Sequence, residues 1–238
     1  MLLQAALNGD RTKADHPAVP LSPEELVADA IDCVRAGAGG FHIHPRDSDG
    51  RERLDPDVVD RVVEAVRTAC GVPVGVTTGA WIEPDPARRA ELVKAWRAPD
   101  SATVNLSEEG SLEIMKALLS AGVGIEAGVW TVEDAKRLAT SGLADRIMRI
   151  CVEPVDLSAA EAVGFVEEIH AALDRLGLTA PRLQHGDGDA TWVLIEDAVR
   201  RGFDTRVGLE DTLWEPNGGR TSGNAALVRA ARDLGAGR

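Results

Sequence analysis

His42 and His44 are two of the five histidines in the sequence, and they stand in the stretch GGFHIHPRDSDG. Two residues apart, they share one face if the segment is a strand. Two imidazoles on one face can offer nitrogens to a single cation. Catalytic Zn²⁺ takes three protein ligands and keeps one position open. The plainer reading is a pair of hydrogen-bonded histidines in a polar recess. A metal site needs a third ligand from elsewhere, and Glu210, Glu126, Glu153 and His185 are the candidates. Glu210 is preferred, because in a closed barrel the last strand lies beside the first and close to the second.

Other residues could add chemistry beside such a site. The fork of Arg206 suits a carboxylate, although it would pair equally well with Glu210 or Asp211. Asp211 suits a general base or a helix cap. Thr77 and Thr78 could orient a substrate oxygen or merely cap a strand end. Asn8 and Asn105 end apolar runs and could bind substrate. Glu126 lies inside an apolar run, where an unpartnered carboxylate is costly. It needs a partner, a metal or a raised pKa. HGDGDATW, from His185 to Trp192, carries two aspartates that disfavour an anion site, so it reads as a tight loop with Asp189 capping a helix.

These residues need a scaffold. Short apolar runs alternate with longer amphipathic ones. The strand candidates are Leu2–Leu7, Gly40–His44, Val72–Thr77, Ser101–Asn105, Val123–Ala127, Arg146–Val152, Arg182–His185 and Thr205–Leu209. The helix candidates are Pro23–Ala36, Pro56–Ala69, Pro86–Ala95, Ser111–Ser120, Val132–Thr140, Ala159–Leu176, Ala190–Arg201 and Asn224–Leu234. Ser22-Pro23 and Asp55-Pro56 read as helix starts. Strict alternation of eight strands and eight helices implies a parallel sheet, and at 238 residues a single-domain (β/α)8 TIM barrel. In such barrels the site lies at the C-terminal ends of the strands, where every residue named above falls.

Composition narrows the partners. Thirty-nine acids against 26 bases leave a net charge of −13, which argues against nucleic acid or an anionic membrane. Cys33, Cys70 and Cys151 form no CxxC pattern, as expected of reduced thiols in a cytoplasmic protein. The start, MLLQAALNGDR, has no basic region before a long apolar run, so it reads as a first strand and not a signal peptide.

With these residues in view, the sequence resembles the β-keto acid cleavage enzymes over nearly its whole length. The resemblance is carried by LNGDRTKADHPAVPLSPEEL, AGAGGFHIHPRDSDGRERLD, VGVTTGA, ATVNLSEEG and VGLEDTLWEPNG…NAALV, in that order. It implies a (β/α)8 barrel that binds one Zn²⁺ through His42, His44 and Glu210. It implies exchange of a β-keto acid with acetyl-CoA, giving acetoacetate and a new acyl-CoA. Arg206 then matches the substrate-binding arginine, Asp211 the catalytic aspartate, Thr77 the hydroxyl residue after strand three, and Glu126 the strand-five glutamate. A homo-oligomer, a dimer or tetramer, is also implied. The sequence departs from the pattern in three ways. It is shorter, Arg11 with Asp10 beside it stands where the family has a glutamate, and Glu108 stands near a place where the family has a small or hydroxyl residue. Two other functions compete: a metal-dependent hydrolase or CoA-independent lyase, and a barrel that binds a metal or organic acid without turnover. An HxH on a barrel strand is also similar to amidohydrolases, but no lysine suits a mid-barrel strand end.

Overall fold

In the computed structural model, which describes residues 1–238, the strand residues, apolar and polar alike, are almost all buried on both faces. That is the pattern of a parallel sheet with helices outside and side chains filling the inside. The strands are β1 (Leu3–Ala6), β2 (Gly40–Ile43), β3 (Val74–Thr77), β4 (Ser101–Asn105), β5 (Gly124–Val129), β6 (Arg149–Val152), β7 (Arg182–Gln184) and β8 (Asp204–Val207). The helices are α1 (Pro23–Ala36), α2 (Pro56–Cys70), α3 (Pro86–Lys94), α4 (Ser111–Ala121), α5 (Val132–Thr140), α6 (Ala159–Arg175), α7 (Thr191–Arg201) and α8 (Asn224–Asp233). Each strand pairs in parallel with the next, and β8 pairs with β1 to close an eight-stranded barrel. The expected (β/α)8 TIM barrel is what forms, as one domain.

Barrel closure depends on backbone contact. At Gly208 an added Cβ would sit 1.8 Å from the Ala6 carbonyl oxygen. Only glycine lets the end of β8 lie so close to β1, and this approach carries Glu210 to the barrel mouth. Outside the barrel, α2 shows how the helices attach. Val59, Val62, Val63 and Val66 recur at helical spacing and are fully buried. Each such side chain contributes roughly 1.5–3 kcal/mol. Trp96 is fully buried too, and its indole N–H donates to the Leu54 carbonyl (2.9 Å).

Helix punctuation matches the sequence at α1, where Ser22 and Glu25 form a capping box behind Pro23. Asp55 precedes Pro56 as expected but makes no side-chain cap. Asp189 does not cap α7 either. It lies inside a 3₁₀ turn, Gly188–Ala190, that runs straight into the helix, so its side chain has no free helix end to reach. No helix is long and apolar enough to cross a membrane.

One buried node ties the last strand to the first. The Asn224 side chain donates to the Leu7 carbonyl (2.8 Å) and to Asp29 Oδ2 (2.6 Å), and accepts from the Leu209 N–H (2.6 Å). It therefore fixes the backbone next to Glu210. Burial raises the Asp29 carboxyl to about 6, against the opposing Asn224 hydrogen bond. A raised folded-state value means that the stability it contributes is full below the ordinary carboxyl range, near 3.8, and is lost as pH rises through about 6. Asp29→Asn keeps an acceptor for Asn224 and removes the charge. It should raise the melting temperature at pH 8 and leave it nearly unchanged at pH 4, as thermal scans at the two pH values would show.

Candidate active site

His42 and His44 share one face of the β2 segment and point into the barrel mouth. Their Nε2 atoms lie 3.2 Å apart, and each is 3.7–3.8 Å from Glu210 Oε1. A tetrahedral zinc with bonds of about 2.0–2.1 Å separates its donors by roughly 3.3 Å. The three donors thus already stand at nearly the spacing of a closed coordination shell. Glu210 Oε2 is buried and makes no hydrogen bond, as a second oxygen waiting for a cation would. Burial lowers His42 to about 3, the nearby Glu210 notwithstanding, so its imidazole is neutral, as a ligand must be. The residues present fit the metal.

His44 is held from behind. Its Nδ1 donates to Glu52 Oε1 (2.5 Å), which fixes the tautomer and leaves Nε2 with its lone pair. Trp81 also donates to Glu52 (3.2 Å) and stacks on the His44 ring, with centroids 6.0 Å apart. Glu52 reaches His44 because Arg46 and Glu52 pair as an antiparallel bridge, folding the loop after β2 back on itself. Asp47 is the residue that turns that loop. It accepts from the Asp49 and Arg51 N–H groups and from Arg53, and does not touch the histidines. Outer partners of metal ligands are typically worth about 10–100-fold in metal affinity. Glu52→Gln should weaken zinc binding by that factor, measured by competition with a chromophoric chelator.

Glu210 is held from both sides. Gly9, at φ +54°, leaves room that a Cβ would take from the Glu210 side chain, at 2.5 Å from its Cγ. Arg206 donates to Glu210 Oε1 (2.8 Å) and to Asp211 Oδ1 (2.7 and 3.2 Å). The salt bridge anticipated for Arg206 is therefore present, and both acids share it. The Arg206 Nη1 makes no hydrogen bond within the protein, and the residue lines the cavity. Burial opposes the charge on Arg206, but Asp211 and Glu210 hold it firmly protonated. Burial likewise opposes ionisation of Glu210, and the Arg206 guanidinium outweighs it, so this carboxyl falls well below its usual range. At Asp211 burial wins over Arg206 and the carboxyl rises. Two acids on one guanidinium thus diverge, Glu210 below the ordinary carboxyl range and Asp211 above it.

The opposite wall comes from β4 to β7. Asn105 donates to Glu108 Oε1 (2.9 Å) and turns its carbonyl oxygen, buried and without a partner, toward the mouth. Glu153 accepts from His185 Nε2 (2.8 Å) and from the Trp130 indole (2.8 Å). Burial opposes its charge, but His185 and Arg206 overcome this and bring Glu153 down to about 2. Together the walls enclose about 170 Å³, lined by His42, His44, Thr77, Asn105, Arg206 and Asp211 among others.

The mouth thus gathers His42, His44, Glu210, Arg206, Asp211, Thr77 and Asn105. Three expected residues lie elsewhere. Glu126 belongs to the layer beneath. It accepts from Ser101 (2.6 Å), approaches Arg149 (3.9 Å) and lines a separate cavity with Gln4 and Gly75. Asn8 is fully buried behind the metal trio, where it donates to the His44 carbonyl (3.0 Å) and accepts from its N–H (2.9 Å). Thr78 turns outward and donates to the Thr103 carbonyl (2.7 Å). Alternation predicts which side chains point inward, but not at what depth, and this is where the expectation for Glu126 fails. Glu153 and His185, rival third ligands in the sequence, pair with each other and not with the two histidines. Trp81, Trp130 and Glu52 were not anticipated. The return of the loop over Arg46, signalled by the Asp47–Gly50 turn, would have brought Glu52 into view.

A family model described as beta-keto acid cleavage enzyme matches residues 1–237. The chain belongs to that family. Among its relatives, the 3-keto-5-aminohexanoate cleavage enzyme of Fusobacterium nucleatum is 26% identical over 263 residues, covering 99% of this chain and 92% of the relative. The 3,5-dioxohexanoate:acetyl-CoA acetone transferase of Paraburkholderia graminis is 24% identical, over 94% of this chain and 85% of the relative. Among solved structures, ObcA bound to oxaloacetate superposes with a TM-score of 0.71 at 18% identity, so it shares the fold. That match covers 91% of this chain and 63% of the longer ObcA chain.

In this beta-keto acid cleavage family barrel, the sequence departures take definite places. Arg11 lies behind the site and donates to the Glu210 carbonyl (3.3 Å), so its charge does not line the mouth. Glu108 is an internal brace. It accepts from Asn105 and from the Ala80 N–H (3.0 Å) and pairs with the buried Arg89 (3.3 Å). Burial raises its carboxyl, although the Asn105 hydrogen bond pulls the other way.

Proposed function

We propose that the protein exchanges a β-keto acid with acetyl-CoA in a zinc-dependent retro-Claisen reaction. The observation that carries this reading is the metal trio with Arg206 and Asp211 at its edge, in a chain matched end to end by the family. The two curated relatives support it, one named for cleaving a keto acid and the other for using acetyl-CoA. In balance, R–CO–CH₂–COO⁻ and CH₃–CO–SCoA give CH₃–CO–CH₂–COO⁻ and R–CO–SCoA.

His42, His44 and Glu210 would hold the zinc, which when bound supplies a Lewis acid for the substrate's oxygens. Arg206 anchors the carboxylate through its free Nη1. Asp211 takes a proton from C2, the carbon between the carboxylate and the keto group. C2 then adds to the thioester carbonyl and the CoA thiolate leaves. The thiolate adds to the keto carbon, whose oxygen the Thr77 hydroxyl orients. The bond from C2 to that carbon breaks, its electron pair stays on C2, and Asp211 returns the proton. Asn105 bounds the far side of the substrate.

The test is a panel of β-keto acids with acetyl-CoA and zinc-loaded protein, read by mass spectrometry for acetoacetate and acyl-CoA. Both products should appear together in equal amounts for at least one acid. A fully metallated protein that forms neither from any member of a broad panel contradicts the proposal.

A further inference from the structure

His185 is the one imidazole at the mouth that the exchange reaction does not use, and its surroundings define what it can do. Its Nε2 sits 2.8 Å from Glu153 Oε2, and the other oxygen of Glu153 is held by the Trp130 indole (2.8 Å). Glu153 is an anion and can only accept, so Nε2 carries the hydrogen and Nδ1 the lone pair. Nδ1 is buried, has no hydrogen-bond partner and lies 3.7 Å from Asp211 Oδ1. An unpartnered buried polar atom is costly, and a purely structural histidine would shed that cost by finding a partner. A carboxylate that fixes the tautomer, with the second nitrogen unpartnered on a ring that lines the cavity, is the arrangement of a general base. β6 and β7 lie across the barrel from β2, so His185 faces the keto acid from the side opposite His42 and His44.

The nucleophile that reaches this side is constrained by charge. The loops after β4, β6 and β7 bring in Glu109, Asp156, Asp187 and Asp189, and contain no lysine or arginine. A polyanionic carrier such as CoA is repelled there. Water is not.

We propose a second activity at this site: CoA-independent hydrolysis of the same β-keto acid, with His185 as the base for water. It rests on the β-keto acid reading of the site, and adds to it a second nucleophile and a further catalytic residue. Water oxygen adds to the keto carbon while His185 Nδ1 takes one of its protons. The bond from that carbon to C2 breaks, its electron pair stays on C2, and the proton on His185 passes to C2. R–CO–CH₂–COO⁻ and H₂O thus give R–COO⁻, acetate and one proton. No redox change is involved.

The experiment uses the zinc-loaded protein in H₂¹⁸O without acetyl-CoA, on a β-keto acid that the exchange assay accepts. Mass spectrometry should find acetate and R–COO⁻ in equal amounts, with one ¹⁸O in R–COO⁻ and none in the acetate. Spontaneous decarboxylation gives a ketone and carries no such label. His185→Ala should lower the labelled product about 10²–10⁴-fold, with zinc content unchanged, and added imidazole should restore part of the rate. Wild-type protein that exchanges with acetyl-CoA but forms no labelled R–COO⁻ overturns this inference and leaves the exchange reading standing. A His185→Ala variant that keeps full hydrolysis, or a loss that imidazole does not repair, also overturns it. Absence of both reactions overturns the two together. The wild-type labelling needs no variant to fold.

Discussion

Glu210→Gln is expected to abolish turnover while the barrel stays folded. The amide is neutral, so the site loses the carboxylate charge beside the Nε2 atoms of His42 and His44, and with it most of its attraction for a dication. Loss of a Lewis acid costs several kcal/mol of transition-state stabilisation, on the order of 10³-fold in rate. The fold is insulated from this change. Arg206 keeps its bonds to Asp211, and the Glu210 backbone is still held by Arg11 and by the Asn224 bridge to Leu209. Metal analysis and circular dichroism on one preparation separate the two effects. Native-like ellipticity with little zinc is the expected pair of results. Full zinc content and full turnover would move the third ligand to Glu153 or His185.

Arg206→Met should be the more damaging change, because it acts on stability and on substrate together. The guanidinium sits between two buried carboxylates, and removing it leaves them without a counter-charge. Breaking a buried ion pair from one side costs about 3–5 kcal/mol. The pH dependence has a definite sign. Glu210 titrates below its ordinary value in the wild type, so the stability it contributes is present above about 4.5 and disappears as pH falls below that. The variant lacks this contribution. The stability gap between the two proteins should therefore be widest near pH 7 and shrink below pH 4.5. Urea titrations of the metal-free proteins at pH 7 and pH 4 measure it. On substrate, loss of the carboxylate anchor should lower kcat/KM at least about 10²-fold. Arg206→Lys should recover the charge and most of the stability, but not the two-pronged geometry.

The barrel was legible because its punctuation is local. α1, α5 and β4 have the same bounds in the sequence and in the structure, each set between a cap or glycine and a clear change of period. β6 begins at Arg149 and not at Arg146, because Ala144–Arg146 forms a 3₁₀ turn that no apolar pattern announces. The meeting of His42, His44 and Glu210 was legible for a different reason. Period two puts His42 and His44 on one face, and barrel closure brings Glu210 beside them. What depended on depth or on loop return was not legible. Glu126 finds the partner its apolar run demanded, Ser101, but one layer below the mouth. Asn8 follows β1 as expected, yet its amide is consumed by the backbone of His44. Glu52 reaches His44 only through a loop that doubles back. Glu153 and His185 could each be placed at the rim, but their pairing is a contact between two strands' ends that sequence spacing does not encode.

The most direct test of the account follows carbon through the reaction. A β-keto acid labelled with ¹³C at C1 and C2 is given to the zinc-loaded protein with unlabelled acetyl-CoA. The account predicts acetoacetate carrying both labels at C1 and C2, together with an unlabelled acyl-CoA built from the R–CO fragment. Unlabelled acetoacetate, or label retained in the acyl-CoA, would contradict it.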